Sequence, residues 1–147
     1  MKIRYSVFDI ASYFLYKAQE DQELLSNLKL QKLVYYAQGL HLAAFNKPLF
    51  KEKIKAWIYG PVVPKLYSIY KDFGTKGISA DPTFDPSSID EKTRDFLDEV
   101  HEAFGQFSAI RLMELAHADQ CWIDAGINNE ITCEAMCKDL KKYIKDE

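Results

Sequence analysis

The strongest constraint on the fold is a long helical stripe bounded by two sharp stops. Leu30, Leu33, Val34, Ala37, Leu40, His41, Ala44 and Phe45 recur at the i, i+3, i+4 spacing of one helix face. Ser26 or Asn27 suits the cap ahead of it, and Asn46-Lys47-Pro48 stops it. A stripe of this kind is stable only when other elements cover it. The rest of the chain reads as such elements, separated by turn residues and without an internal repeat.

Before the stripe, Ser6 and Asp9 resemble a capping box, followed by Ile10, Ala11, Phe14, Leu15 and Ala18 on one face. After it, residues 49–59 alternate apolar positions with Lys51, Lys53 and Lys55, as a short strand does. Gly60-Pro61-Val62-Val63-Pro64 is stiff, since each proline fixes φ and is able to open a helix. Leu66, Ile69, Tyr70 and Phe73 then predict a buried helix face, with Gly74 as its stop. Residues 74–88 are rich in turn signals around a short strand at Gly77-Ile78-Ser79, and are expected to be the most mobile part. Ser88 with Glu91 suggests another capping box ahead of Phe96, Leu97, Val100 and Phe104, closed by Gly105. Ser108 heads a helix through Ile110, Leu112, Met113, Leu115 and Ala116, and Thr132 heads a last one carrying Met136, Leu140, Tyr143 and Ile144. The expected fold is mainly α: a single compact domain over residues 1–147, with five to six helices and a small two-stranded β element.

Composition narrows the functional classes. The best apolar stretch, Leu40 to Phe45, falls far short of the ~18–20 residues a membrane span needs. The start carries two cations but is broken by Asp9, Ser12 and Lys17, unlike a signal peptide, so a cytoplasmic, soluble protein is expected. Net charge is −3, split into +6 over residues 1–80 and −9 over 81–147. Residues 47–76 concentrate seven Lys against Glu52 and Asp72, interleaved with Trp57, Tyr59, Tyr67 and Tyr70. That mixture suits nucleic acid, yet it contains no Arg to form bidentate forks, and the anionic total opposes the reading. Exposed aromatics rimmed by Lys also suit a protein partner.

Chemistry is sparsely represented. His117 with Cys121, and Cys133 with Cys137, are each spaced i, i+4, which on helices puts each pair on one face, within reach of a zinc ion. Small half-buried thiols and a structural histidine account for the same residues more simply. No Gly-x-Ser-x-Gly elbow, phosphate-cradling glycine loop or His-Glu-x-x-His occurs. Asp95, Asp98, Glu99 and Glu102 read as a solvated helix face. No catalytic residue, metal ligand or cofactor is assigned.

Two blocks, Leu28-Lys29-Leu30-Gln31-Lys32-Leu33-Val34-Tyr35-Tyr36-Ala37-Gln38-Gly39 and Ala56-Trp57-Ile58-Tyr59-Gly60-Pro61-Val62-Val63-Pro64, resemble the Panacea domain. These are antitoxin domains of the SocA-like and GepA-like phage-associated proteins. A third block, Leu112-x-x-Leu115-x-His117-x-Asp119-x-x-Trp122, is similar to the same family, so the resemblance runs over residues 5–125. Here Asp119 stands where the family commonly has Glu, and Cys121 where it has Pro; the exchange frees a backbone N–H ahead of Trp122. The resemblance implies a non-enzymatic antitoxin that neutralises a cognate toxin by protein–protein contact; a DNA-binding transcriptional regulator is the alternative. Leu30, Leu33, Val34 and Ala37 would face the core, with Lys29, Lys32 and Tyr36 nearer the surface. Tyr36, Tyr59, Pro61, Lys65 and Tyr67 are the candidate partner contacts. Lys32, Trp57, Gly60, His117, Asp119 and Trp122 are the motif residues expected to specify the fold, with His117 and Asp119 paired locally.

Overall fold

The computed structural model describes residues 3–144. In chain order it contains α1 (Val7–Glu20), α2 (Asn27–Phe45), β1 (Ile54–Trp57), β2 (Gly60–Val62), α3 (Pro64–Tyr70), α4 (Glu91–Gly105), α5 (Ala109–His117), α6 (Gln120–Ala125), β3 (Glu130–Ile131) and α7 (Cys133–Leu140). Short 3-10 turns follow at Lys71–Phe73, Pro86–Ser88 and Lys141–Tyr143. The mainly α class is as expected, with seven helices rather than five or six and three strands rather than two. The antiparallel sheet has the order β2-β1-β3. Among the described residues no helix is long and apolar enough to cross a membrane.

The helix ends obey local chemistry. Ser6 accepts from the Asp9 amide at 3.2 Å while Asp9 accepts from the Ser6 amide at 2.8 Å, the reciprocal box that starts α1. Ser26, not Asn27, caps α2, and Asn46 ends it in the left-handed conformation at φ 56°. Ser108 and Thr132 cap α5 and α7 as anticipated. The box expected at Ser88 does not form. Ser88 belongs to a 3-10 turn, and Asp90 caps α4 by accepting from Thr93. Of the two prolines, Pro64 opens α3, whereas Pro61 lies inside β2.

α2 is not an amphipathic helix with one wet side. Every residue from Leu30 to Leu40 is buried, because α1, α3, α4, α5, α7 and β2 all pack on it. Its expected outer positions, Lys32 and Tyr36, are therefore fully enclosed, and Lys29 is half-buried with its ammonium donating to the Gly105 carbonyl at 2.7 Å. Polar side chains on this helix hold the chain that follows. Gln38 accepts from the Leu49 amide at 2.7 Å and donates to the Phe50 carbonyl at 2.7 Å. Gln31 accepts from the Val63 amide at 2.9 Å and donates to Asn27, which donates to the Tyr67 carbonyl. Burying these amides is tolerable because each has partners.

Elsewhere the periodicity overstated burial. Leu66 is buried on α3, but Ile69 and Phe73 are more than two-fifths exposed. The strand expected over 49–59 pairs only at 54–57, and Gly77-Ile78-Ser79 makes a single bridge from Ile78 to Leu25 rather than a strand. That bridge sinks Ile78 into the core, and the 74–88 segment is held further by the Ala80 amide, which donates to Gln19 at 2.8 Å, and by Phe84, which packs on Tyr16. The last helix ends at Leu140, with Tyr143 carried by the following turn.

The closest interlock is between α2 and α7, where Leu140 occupies the space that a Cβ on Gly39 would take. Leu140→Ala is expected to cost about 2–5 kcal/mol in urea denaturation, the range for emptying a core leucine site. Gly39→Ala should destabilise the native chain, and by distinctly less in the Leu140→Ala background, since the clash has one partner.

Candidate functional site

Most of the motif residues meet around the β1–β2 hairpin. Trp57 pairs with Gly60, leaving Ile58 and Tyr59 as a two-residue tip, each 64% exposed. Gly60 sits at φ +107°, a conformation that favours glycine. The tip is gripped from the side: the Trp122 indole donates to the Trp57 carbonyl at 3.0 Å, and His117 Nε2–H donates to the Ile58 carbonyl at 2.8 Å. The two gripping rings lie 4.5 Å apart. On the other side Tyr67 packs edge-on against Trp57 at 5.1 Å. Asn128 donates to the Ala56 carbonyl, and the Ala56 amide donates to Asn129, which brings the 126–129 turn alongside β1. Ile123 and Ile127, both half exposed, thereby lie on segments hydrogen-bonded to the hairpin.

Lys32 lies beneath this hairpin. A Cβ on Gly60 would stand 2.5 Å from Lys32 Cε, so glycine is needed for space as well as for φ. The ammonium is buried and has no hydrogen-bond partner. Burial alone pushes the amine down to about 7.

A second cluster is polar and buried. Asp119 Oδ2 accepts from Tyr35 at 2.8 Å and Tyr36 at 3.0 Å, while Oδ1 lies 2.8 Å from Lys142 Nζ. Burial pulls the Lys142 amine down, but the Asp119 hydrogen bond and charge outweigh it and the net direction is up. Burial, reinforced by Asp119, holds the Tyr35 and Tyr36 hydroxyls protonated well above the usual range. Cys121 Sγ lies 3.1 Å from the Tyr35 oxygen, and its amide donates to Asp139 at 3.1 Å. Burial pushes this thiol up to about 12, with the two carboxylates adding to the effect, so it is a poor nucleophile at neutral pH.

Several expectations are corrected by these positions. His117 and Asp119 do not pair; one holds the hairpin and the other faces Tyr35, Tyr36 and Lys142. His117 and Cys121 fall on different helices, so their i, i+4 spacing defines no shared face. Among the described residues no three His, Cys, Asp or Glu side chains are grouped to hold a metal. Tyr36 and Pro61 are buried, whereas Tyr59 and Lys65 are exposed and Tyr67 is half-buried. Of Asp95, Asp98, Glu99 and Glu102 on α4, Asp98 is engaged, accepting from Tyr13 at 2.6 Å. Tyr35, Lys142, Ile123 and Ile127 were not singled out as site residues. The pattern of the first block, the Gln31-Lys32 pair inside an apolar helix, signalled a polar interior that stripe-counting passed over.

The family model for antitoxin SocA-like proteins, the Panacea domain, matches residues 30–123. The chain belongs to this family. It is similar to antitoxin SocA of Caulobacter vibrioides (strain NA1000 / CB15N), with 32% identity over 156 residues covering 92% of this chain and 82% of that protein. No solved structure matches the chain at a significant level. The match spans α2 to most of α6, so the hairpin, its two gripping rings, Lys32 and Asp119 all belong to the Panacea domain. Lys142 lies beyond it. The Cys121 N–H that a proline would lack is used here, by Asp139.

Two measurements check these assignments. Between about pH 7 and 10.5 the unfolded chain keeps the Lys32 proton that the folded chain has released, so this group makes stability climb with pH. Above about pH 9 Cys121 opposes it, since the folded thiol holds its proton longer. Denaturation at intervals from about pH 7 to 8.5 should therefore show stability rising in the native chain. Lys32→Met should flatten that rise and be more stable at pH 7 by about 1–4 kcal/mol. Asp119→Ala should cost about 3–5 kcal/mol, because Lys142 and two tyrosine hydroxyls lose their shared acceptor.

Proposed function

We propose that this protein is an antitoxin that neutralises a cognate toxin by direct contact through the face around the β1–β2 hairpin. The observation that carries this reading is the tip itself. Ile58 and Tyr59, each 64% exposed, stand at the tip of a backbone that is otherwise tied down by Trp122, His117 and the sheet. Large apolar side chains in water are unfavourable where nothing covers them. A tip held in one conformation loses little entropy on binding, so its contacts convert efficiently into affinity. Tyr59 then inserts into the partner, Tyr67 backs Trp57, and Lys65 forms part of the charged rim. Lys32, Gly60 and Pro61 act from beneath, by holding the tip's shape.

The role is non-enzymatic and is exercised in the cytoplasm. Its support is the relationship to antitoxin SocA together with the chemistry of His117, Trp122 and Asp119, which are engaged in holding structure. The regulator alternative lacks a comparable feature: the Lys-rich segment carries no guanidinium fork for base or phosphate recognition.

Co-expression with the product of the adjacent gene should restore growth and yield a co-purifying complex. Tyr59→Ala combined with Lys65→Glu should weaken that complex at least about tenfold in a titration, the scale of losing an interface anchor. The variant should keep the native melting temperature, because both side chains are exposed. An unchanged affinity would place the interface elsewhere.

A further inference from the structure

A second concavity, of about 510 Å³, lies between the segment preceding α1, the end of α2 and the start of α4. We infer that it binds a small anion in which an aromatic ring carries a phosphate. It shares no residue with the hairpin face, and the inference does not depend on the docking proposal.

One wall is aromatic. The His41 ring lies 4.9 Å from Phe45 and 5.2 Å from Phe96, and the two phenyl rings are 5.8 Å apart. This cluster is not closed over, for Phe45 leaves 44% of its surface exposed. Exposed aromatic surface of this kind takes an offset-stacked aromatic guest.

The rim is cationic. Lys47 and Lys92 both line the cavity, and among the described residues neither has a carboxylate within ion-pair distance. Lys92 Nζ stands over the Phe45 ring, 5.7 Å from its centre, so a cation already rests on this aromatic cluster. Burial pushes His41 below its ordinary range; its hydrogen bond to the Lys47 carbonyl opposes this, and the charges of Lys47 and Lys92 add to it. Its Nδ1–H donates to the Lys47 carbonyl and holds the ring in the wall.

The one lining carboxylate is already committed. Asp90 accepts from Tyr5 and Thr93, caps α4, and lies 3.5 Å from the Arg4 guanidinium. Its charge is thus answered within the protein, and the open valence of the cavity is positive. A ring without charge would meet only the aromatic wall, and a bare anion only the lysines. The guest that satisfies both carries the two groups together.

Calorimetric titration of the full chain with AMP, phenyl phosphate, adenosine and inorganic phosphate tests this. At least one of the two ring phosphates should bind saturably at one per chain, with adenosine and inorganic phosphate each weaker by about tenfold or more. Lys47→Glu with Lys92→Glu should weaken that binding at least about tenfold, as should Phe45→Ala, in proteins whose melting temperature matches the native chain. The inference is overturned if neither ring phosphate binds by millimolar concentration, if inorganic phosphate alone binds as tightly, or if the double lysine variant binds unchanged.

Discussion

The enclosure of α2 on all sides is the constraint from which the rest of the architecture follows. A helix buried all round has no solvent to satisfy its polar side chains, so each must find a partner inside the protein or lose free energy. Gln31 and Gln38 solve this by bonding the backbone of segments that follow the helix, at Val63 and at Leu49–Phe50. In doing so they set where β2 begins its turn into α3 and where the chain enters β1. The hairpin is therefore positioned by two amides on one helix, and its exposed tip inherits that rigidity.

Two buried charges on or against the same helix are handled differently. Asp119 is compensated by two tyrosine hydroxyls from α2 and by Lys142 from the turn after α7, so helix, loop and tail are joined through one carboxylate. Lys32 has no such partner, and burial drives it towards neutrality. An uncompensated lysine is costly for stability. Here it stands directly under Gly60, at the one position where the hairpin backbone has no side chain to exclude it. The family match includes both residues.

The same accounting explains why the chain offers so little covalent chemistry. Each histidine and cysteine with reach into a concave surface is already engaged. His117 holds the hairpin, Cys121 is buried against Tyr35, and Cys137 donates to the Leu42 carbonyl. What remains free is apolar and cationic surface: Ile58, Tyr59, Ile123 and Ile127 around the hairpin, and Phe45 with Lys47 and Lys92 at the other concavity.

The amino-acid sequence by itself determined what local chemistry controls. The caps at Ser6, Ser26, Ser108 and Thr132, the stops at Asn46 and Gly74, and the helical class all follow from interactions between residues three or four apart. The two blocks of the Panacea motif were equally legible, because a motif is a property of order. Which side of a helix meets water is not a local property. It depends on how many other elements arrive, and five helices, β2 and the Lys141–Tyr143 turn arrive at α2, burying Lys32 and Tyr36, while too few reach α3 to cover Ile69 and Phe73. β3 and the split between α5 and α6 were missed for the same reason: two residues of strand are stabilised only by β1, and Asp119 turns inward only because Tyr35, Tyr36 and Lys142 await it. Those decisions belong to contacts between residues more than eighty positions apart in the first two cases of the Asp119 cluster, and no spacing rule carries them.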